Sequence, residues 1–146
     1  MAFRFPLAAV LQIRESLERK EQMLLEQCYR RLYLLQMRLS QLDQALEGWR
    51  QDYETKLAAG TTALELHLEL DERQRTQLRR NEVLEQIAAA QQALTRHMQT
   101  YRTVRQQREI VAQLRKNSLE EYRRREQLQE QKLRDDLFLV RRQHRK

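Results

Sequence analysis

The chain has 146 residues but two glycines, one proline and one cysteine, and 6% of it is aromatic. Each shortage excludes something. So few breakers leave nothing to interrupt long helices, apart from Pro6 near the start and the two glycines, Gly48 and Gly60. A lone Cys28 cannot form an intramolecular disulfide, so nothing requires an oxidising compartment. No apolar run reaches the 18 or so residues that span a bilayer. The opening "MAFRFPLAAVLQIRE" has too short an apolar stretch, too soon charged, for a signal peptide, so a cytoplasmic protein is the default expectation. With 34% charged residues and few rings, the chain lacks the apolar mass to enclose a catalytic pocket.

Leu, Gln, Arg, Glu and Ala dominate, the composition of long helices and coiled coils. The net charge of +7 is uneven. Residues 1–60 carry 9 Lys and Arg against 8 Asp and Glu, residues 61–100 carry 5 against 6, and residues 101–146 carry 14 against 7. The basic excess therefore lies in the C-terminal third. Such an end attracts polyanions, acidic protein surfaces or anionic headgroups; the plainer alternative is a solvated tail.

Cys28, Leu32, Leu35, Leu39, Leu42, Leu46, Trp49 and Tyr53 recur at alternating steps of 4 and 3, with Leu25 and Leu57 extending the run. This is the stripe that drives coiled-coil pairing. Upstream, Val10, Ile13 and Leu17 form a short stripe in another phase, and Lys20 and Glu21 interrupt before Leu24, a slip that predicts a local change of supercoil. Pro6 suits a first-turn position. The first arm is expected over about residues 6–57.

"KLAAGTTALE", residues 56–65, holds the one clear break. Gly60 can take the left-handed conformation that closes a helix. Thr62 followed by Glu65 makes a capping box for the next. One stop and one start predict a helical hairpin. "LELHLELDE" alternates Leu with polar residues like a strand, but Leu and Glu are helix formers and no partner strand is visible, so helix is expected. Leu84, Ile87, Leu94, Met98, Tyr101, Val104, Val111 and Leu114 keep an approximate stripe on the second arm. Ser118 and Glu121 repeat the capping pattern without a nearby Gly or Pro, and the helix is expected to continue through them. The last residues, "RRQHRK", are expected to fray.

At 1.5 Å per residue the arms would measure roughly 75 and 120 Å, so a tight turn at Gly60 would leave the far end of the second arm unpaired. A looser tip over residues 58–80, with room for a short extra helix, brings both termini together and is the version favoured here. The expectation is an all-α, antiparallel two-helix coiled-coil hairpin forming one domain: arm one about 6–57, tip about 58–80, arm two about 81–143.

No catalytic, cofactor or metal site is legible. His67, His97 and His144 lie far apart without neighbouring ligands, Cys28 sits on the apolar stripe, and the adjacent Asp135 and Asp136 point roughly 100° apart on a helix. The chain is not expected to be an enzyme. Nucleic-acid binding by the Arg-rich end is not expected either, because Glu109, Glu120, Glu121, Glu126, Glu130, Asp135 and Asp136 interrupt it.

"FRFPLAAVLQIRE", "QALEGWRQDY" and "EEYRRREQLQEQKLRDDLFLVRR" together resemble the FliJ family of flagellar type III export proteins, across nearly the whole chain. The resemblance implies a stalk-like antiparallel coiled coil whose paired terminal ends enter the hexameric export ATPase and promote its assembly and activity. It further implies that the hairpin region reaches the membrane export-gate protein, that export chaperones bind, and that the protein works in the cytoplasm at the inner-membrane export apparatus. It would be a monomer when free and would not insert into the membrane. Candidates for the ATPase contact are Phe3, Arg4, Phe5, Arg14, Asp135, Asp136, Arg141 and Arg142; Phe3 and Phe5 equally fit a staple at the helix start. Candidates for the gate contact are Leu46, Trp49 and Tyr53, which equally fit the seam. Trp49 departs from the family, where a Tyr is familiar. The rival readings are the equivalent stalk of a virulence-type injectisome and a generic coiled-coil tether.

Overall fold

Long stretches of Leu, Gln, Glu, Arg and Ala without internal proline favour helix at every step, and two helices take up almost the whole chain. The computed structural model describes residues 2–145. It has α1 (Ala8–Ala59, 52 residues) and α2 (Ala63–His144, 82 residues), with no strand among the described residues. The helices pack against each other as an antiparallel hairpin.

The start and the turn follow from local chemistry. Pro6 lies in a turn closed by the Ala8 N–H donating to the Phe5 carbonyl (3.1 Å), and helix begins just after it. Gly60 adopts φ 86°, the left-handed geometry that ends α1. Thr62 Oγ1 accepts the Glu65 N–H at 3.3 Å, and the Thr62 carbonyl accepts the Leu66 N–H, the first turn of α2. The Glu65 carboxylate takes the Thr61 hydroxyl at 2.6 Å, so the acid of the capping box meets the residue before the cap.

The turn spans three non-helical residues, 60–62, and α2 begins at Ala63. The looser tip over 58–80 and its extra helix are therefore replaced by a tight hairpin, and the second arm starts at 63. The cap at Thr62 and the unbroken helix formers behind it leave nothing to interrupt residues 63–80. The Leu-alternating stretch 64–70 is helical, and the helix passes Ser118 and Glu121 unbroken. The segment expected to fray is helical as far as His144.

The described residues divide into two units. The hairpin unit is Glu21–Tyr101. In it Leu25, Cys28, Leu32, Leu35, Leu39, Leu42, Leu46, Trp49 and Tyr53 of α1 are all half-buried, as their spacing predicts. They face α2, where Val83 (2% exposed) and Ala90 are buried and Ile87, Leu94, Met98 and Tyr101 are half-buried. Two expected members are not in the seam: Leu57 and Leu84 are exposed, Leu84 because its neighbour Val83 holds the inward position. Register is marked by the Asp43–Arg80 and Lys56–Glu69 ion pairs across the seam and by His97 Nδ1 lying 3.8 Å from the Glu21 carboxylate.

The terminal unit comprises Met1–Lys20 and Arg102–Lys146. Here the inward positions of α1 are Leu11, Arg14, Glu15 and Glu18, all half-buried, while Ile13 (60% exposed) faces outward and Val10 (37%) and Leu17 (38%) lie on the flank of the seam. The predicted phase slip is thus absent. The steps of 3 and 4 from Leu25 run back through Glu21, Glu18, Arg14 and Leu11, with polar side chains at seam positions. Arg108 donates to both carboxylate oxygens of Glu18 (2.6 and 3.3 Å), and Arg14 donates to Gln107 Oε1 (2.6 Å). Val111 is buried and Leu114 exposed. Residues 123–145 of α2 are exposed throughout.

Candidate functional site

The terminal unit gathers most of the expected contact residues. The Phe3 ring packs against Tyr122, centroids 5.4 Å apart. Phe5 is half-buried and its carbonyl closes the turn into α1, so both rings contribute to ordering the helix start. Arg4 is exposed. Arg14 is committed to the seam through Gln107. Asp135, Asp136, Arg141 and Arg142 lie on the exposed C-terminal stretch, away from the Phe3–Tyr122 contact along α2, and the structure does not bring them together with Phe3, Phe5 or Arg14.

Two features of this unit escaped sequence reasoning. One is the stripe of Leu7, Val10, Ile13 and Leu17 on α1, all exposed. It is apolar at helical spacing and looks like a seam, which is why it was read as one. The other is the C-terminal stretch. From 123 to 145 it carries 8 Arg and Lys against 4 acids, and it exposes Leu128, Leu133, Leu137, Phe138, Leu139 and Val140. Solvated helix faces seldom hold this much apolar surface in one segment. Some charges are internally paired: Arg125 with Glu121 at 2.6 Å, while Tyr122 donates to Glu126 at 2.9 Å. That hydrogen bond holds the Tyr122 phenol above its ordinary pKa. Likewise the hydrogen bond to Glu18 raises Arg108 above the ordinary arginine value, outweighing its desolvation.

The three expected gate residues sit in the hairpin unit. Trp49 and Tyr53 stack at 4.8 Å with planes 19° apart, and the Arg73 guanidinium lies 4.6 Å from the Trp49 ring centre. Such a cation–π contact contributes about 0.5–1 kcal/mol near solvent. Leu46, Trp49 and Tyr53 are all half-buried in the seam, and Trp49 Nε1 is buried without a hydrogen-bond partner among the described residues. The geometry makes these side chains seam packing first. A partner reaches them only at their exposed edges or by parting the seam.

Among the described residues there is no cluster of His, Cys, Asp or Glu able to hold a metal ion, and no helix long and apolar enough to cross a membrane. Compared with protein-family models, curated proteins and solved structures, the chain matches none.

Proposed function

We propose that the chain is the non-catalytic stalk of a flagellar type III export apparatus, docking its terminal unit in the export ATPase hexamer and linking it to the membrane export gate, with export chaperones as further partners. The observation that carries this reading is the terminal unit: a seam that admits Arg14, Glu15, Glu18 and Arg108, exposed apolar side chains at Leu7, Val10, Ile13 and Leu17, and a fully exposed basic helix from 123 to 145. A docking element needs apolar area for affinity and charge of one sign for orientation. The resemblance of "FRFPLAAVLQIRE" and "KLRDDLFLVRR" to the FliJ family supplies the partner. Arg4, Asp135, Asp136, Arg141 and Arg142 are free to touch it. Phe3 and Phe5 act mainly by shaping the helix start, and Arg14 by its hydrogen bond to Gln107 across the seam.

The test is ATP hydrolysis and hexamer assembly by the purified flagellar export ATPase of the same genome, with and without this chain. Stimulation at about one chain per hexamer is the expected result, lost in Ile13→Glu and in Arg141→Glu with Arg142→Glu. A folded chain without effect removes the reading; the injectisome ATPase is then the next partner to try, and the generic tether stands if that fails too. For the gate, Trp49→Ala with Tyr53→Ala is expected to weaken binding while sparing the ATPase. Loss of both activities together with helicity would make the rings packing only.

A further inference from the structure

A third surface lies in the middle of the hairpin unit. Helix α1 is seam-facing at Cys28, Leu32, Leu35 and Leu39, so the opposite face belongs to solvent, where a coiled coil ordinarily carries charged or polar residues. Here that face holds Tyr33 (61% exposed), Leu34 (64%) and Met37 (45%), with Met23 three turns before Leu34. Leu34 and Met37 are three apart and Tyr33 and Met37 four apart, so they form one contiguous apolar ridge.

The charges around the ridge are equally unusual. From Gln27 to Leu42 on α1 there is no Asp or Glu, and from Gln86 to Arg96 on α2 there is none either. Arg30, Arg31, Arg38 and Arg96 are exposed in this band, and none has an ion-pair partner among the described residues. In the same unit Arg80 meets Asp43 and Arg50 meets Glu54, each where an acid lies within reach, which this stretch of α1 does not offer.

We infer that this face binds an amphipathic helix of a partner protein whose apolar stripe is flanked by Glu and Asp. Tyr33, Leu34 and Met37 supply the apolar contact, and Arg30, Arg31 and Arg38 on the same helix receive its carboxylates. A phosphate backbone would use the arginines but would gain little from Leu34 and Met37, so the ridge favours protein over nucleic acid. The inference concerns a surface separate from the terminal unit and stands independently of the ATPase reading.

The probe is a fluorescein-labelled heptad-repeat peptide with Leu at its apolar positions and Glu at the flanking ones, titrated with the full chain and followed by anisotropy. Expected is saturable binding, absent for the same peptide with Lys in place of Glu. Leu34→Glu with Met37→Glu should weaken it by about tenfold or more, as should Arg30→Gln, Arg31→Gln and Arg38→Gln combined, with helicity unchanged by circular dichroism. Leu137→Glu, in the terminal unit, should leave it intact. No binding, equal binding of the Lys peptide, or loss in Leu137→Glu alone overturns the inference. So does a duplex oligonucleotide whose binding falls in the triple-arginine variant but not in Leu34→Glu with Met37→Glu, which would mark a nucleic-acid face. A concentration-dependent dimer abolished by Leu34→Glu with Met37→Glu also overturns it, in favour of a second copy as occupant.

Discussion

The hairpin unit and the terminal unit are built from the same two helices with different seams. In the hairpin unit the inward positions are Leu, Cys, Trp and Tyr against Val83, Ile87, Ala90 and Leu94. In the terminal unit they are Leu11, Arg14, Glu15 and Glu18 against Val104, Arg108 and Val111, so polar and apolar side chains share the seam while Ile13 and the leucines beyond residue 123 stay exposed. The first arrangement holds helices together by burial. The second gives up part of that burial and leaves apolar surface exposed. Fully burying a Val or Leu is worth about 1.5–3 kcal/mol, whereas an ion pair partly open to water contributes ~0–1 kcal/mol. The terminal unit should accordingly be the less stable of the two.

The comparison breaks most visibly at its best-buried side chain. Val83→Asp would place an unpaired charge at a position 2% exposed and is expected to destabilise by about 3 kcal/mol or more, read from urea unfolding followed by circular dichroism. A similar loss from Val111→Asp would show that the terminal seam matters as much as the hairpin seam, contrary to the contrast drawn here.

Replacing the terminal ion pair sharpens it. Glu18→Leu with Arg108→Leu is expected to stabilise by about 1–2 kcal/mol, since well-packed apolar residues often replace a half-buried ion pair with a gain. Glu18→Ala alone should destabilise, by leaving the Arg108 guanidinium unpaired. A destabilised double-Leu variant would mean that the pair is a genuine source of stability.

The glycines separate turn from helix by about 1 kcal/mol each, with opposite signs. At Gly60 φ is 86°, so Gly60→Ala is expected to cost about 1 kcal/mol even though the space around it is open. At Gly48, inside α1 and equally open, Gly48→Ala should stabilise by about 0.5–1 kcal/mol. Thermal unfolding of the two variants reads both signs.

Tyr122 gives the smallest effect. Its phenol is raised by the hydrogen bond to Glu126, so any stability it lends the terminal unit is present below the ordinary tyrosine pKa and is lost as pH rises through the raised value. Tyrosinate absorbance should show one phenol titrating late, returning towards the ordinary value in Glu126→Gln. An unchanged titration would break the link to Glu126.

The seam from Leu25 to Tyr53 and the break at Gly60 were legible because both are local: a heptad needs only its own spacing, and a left-handed cap needs only glycine and the threonines after it. The stripe from Val10 to Leu17 was misread for the same reason, since periodicity reports that a face is apolar but not which way it points. The continuous register from Leu25 keeps Glu18 and Arg14 inward, and Arg108 is there to meet Glu18. The ridge at Tyr33, Leu34 and Met37 was invisible among so many leucines until its neighbours were known to be the seam. Of the expected contact residues, Phe3, Phe5 and Arg14 proved to be engaged within the chain, and Trp49 and Tyr53 to be packed on each other, which no spacing rule distinguishes from an interface.

Composition and periodicity alone dictate two long helices, a hairpin at Gly60 and an apolar seam along its middle, because helix propensity, capping and heptad spacing act over a few neighbouring residues. Tertiary packing alone decides which side chains the seam takes up, that Glu18 and Arg14 lie inward where Val10 and Ile13 do not, and which apolar side chains stay exposed. Each of those depends on what the opposite helix places across the seam, tens of residues away in the chain.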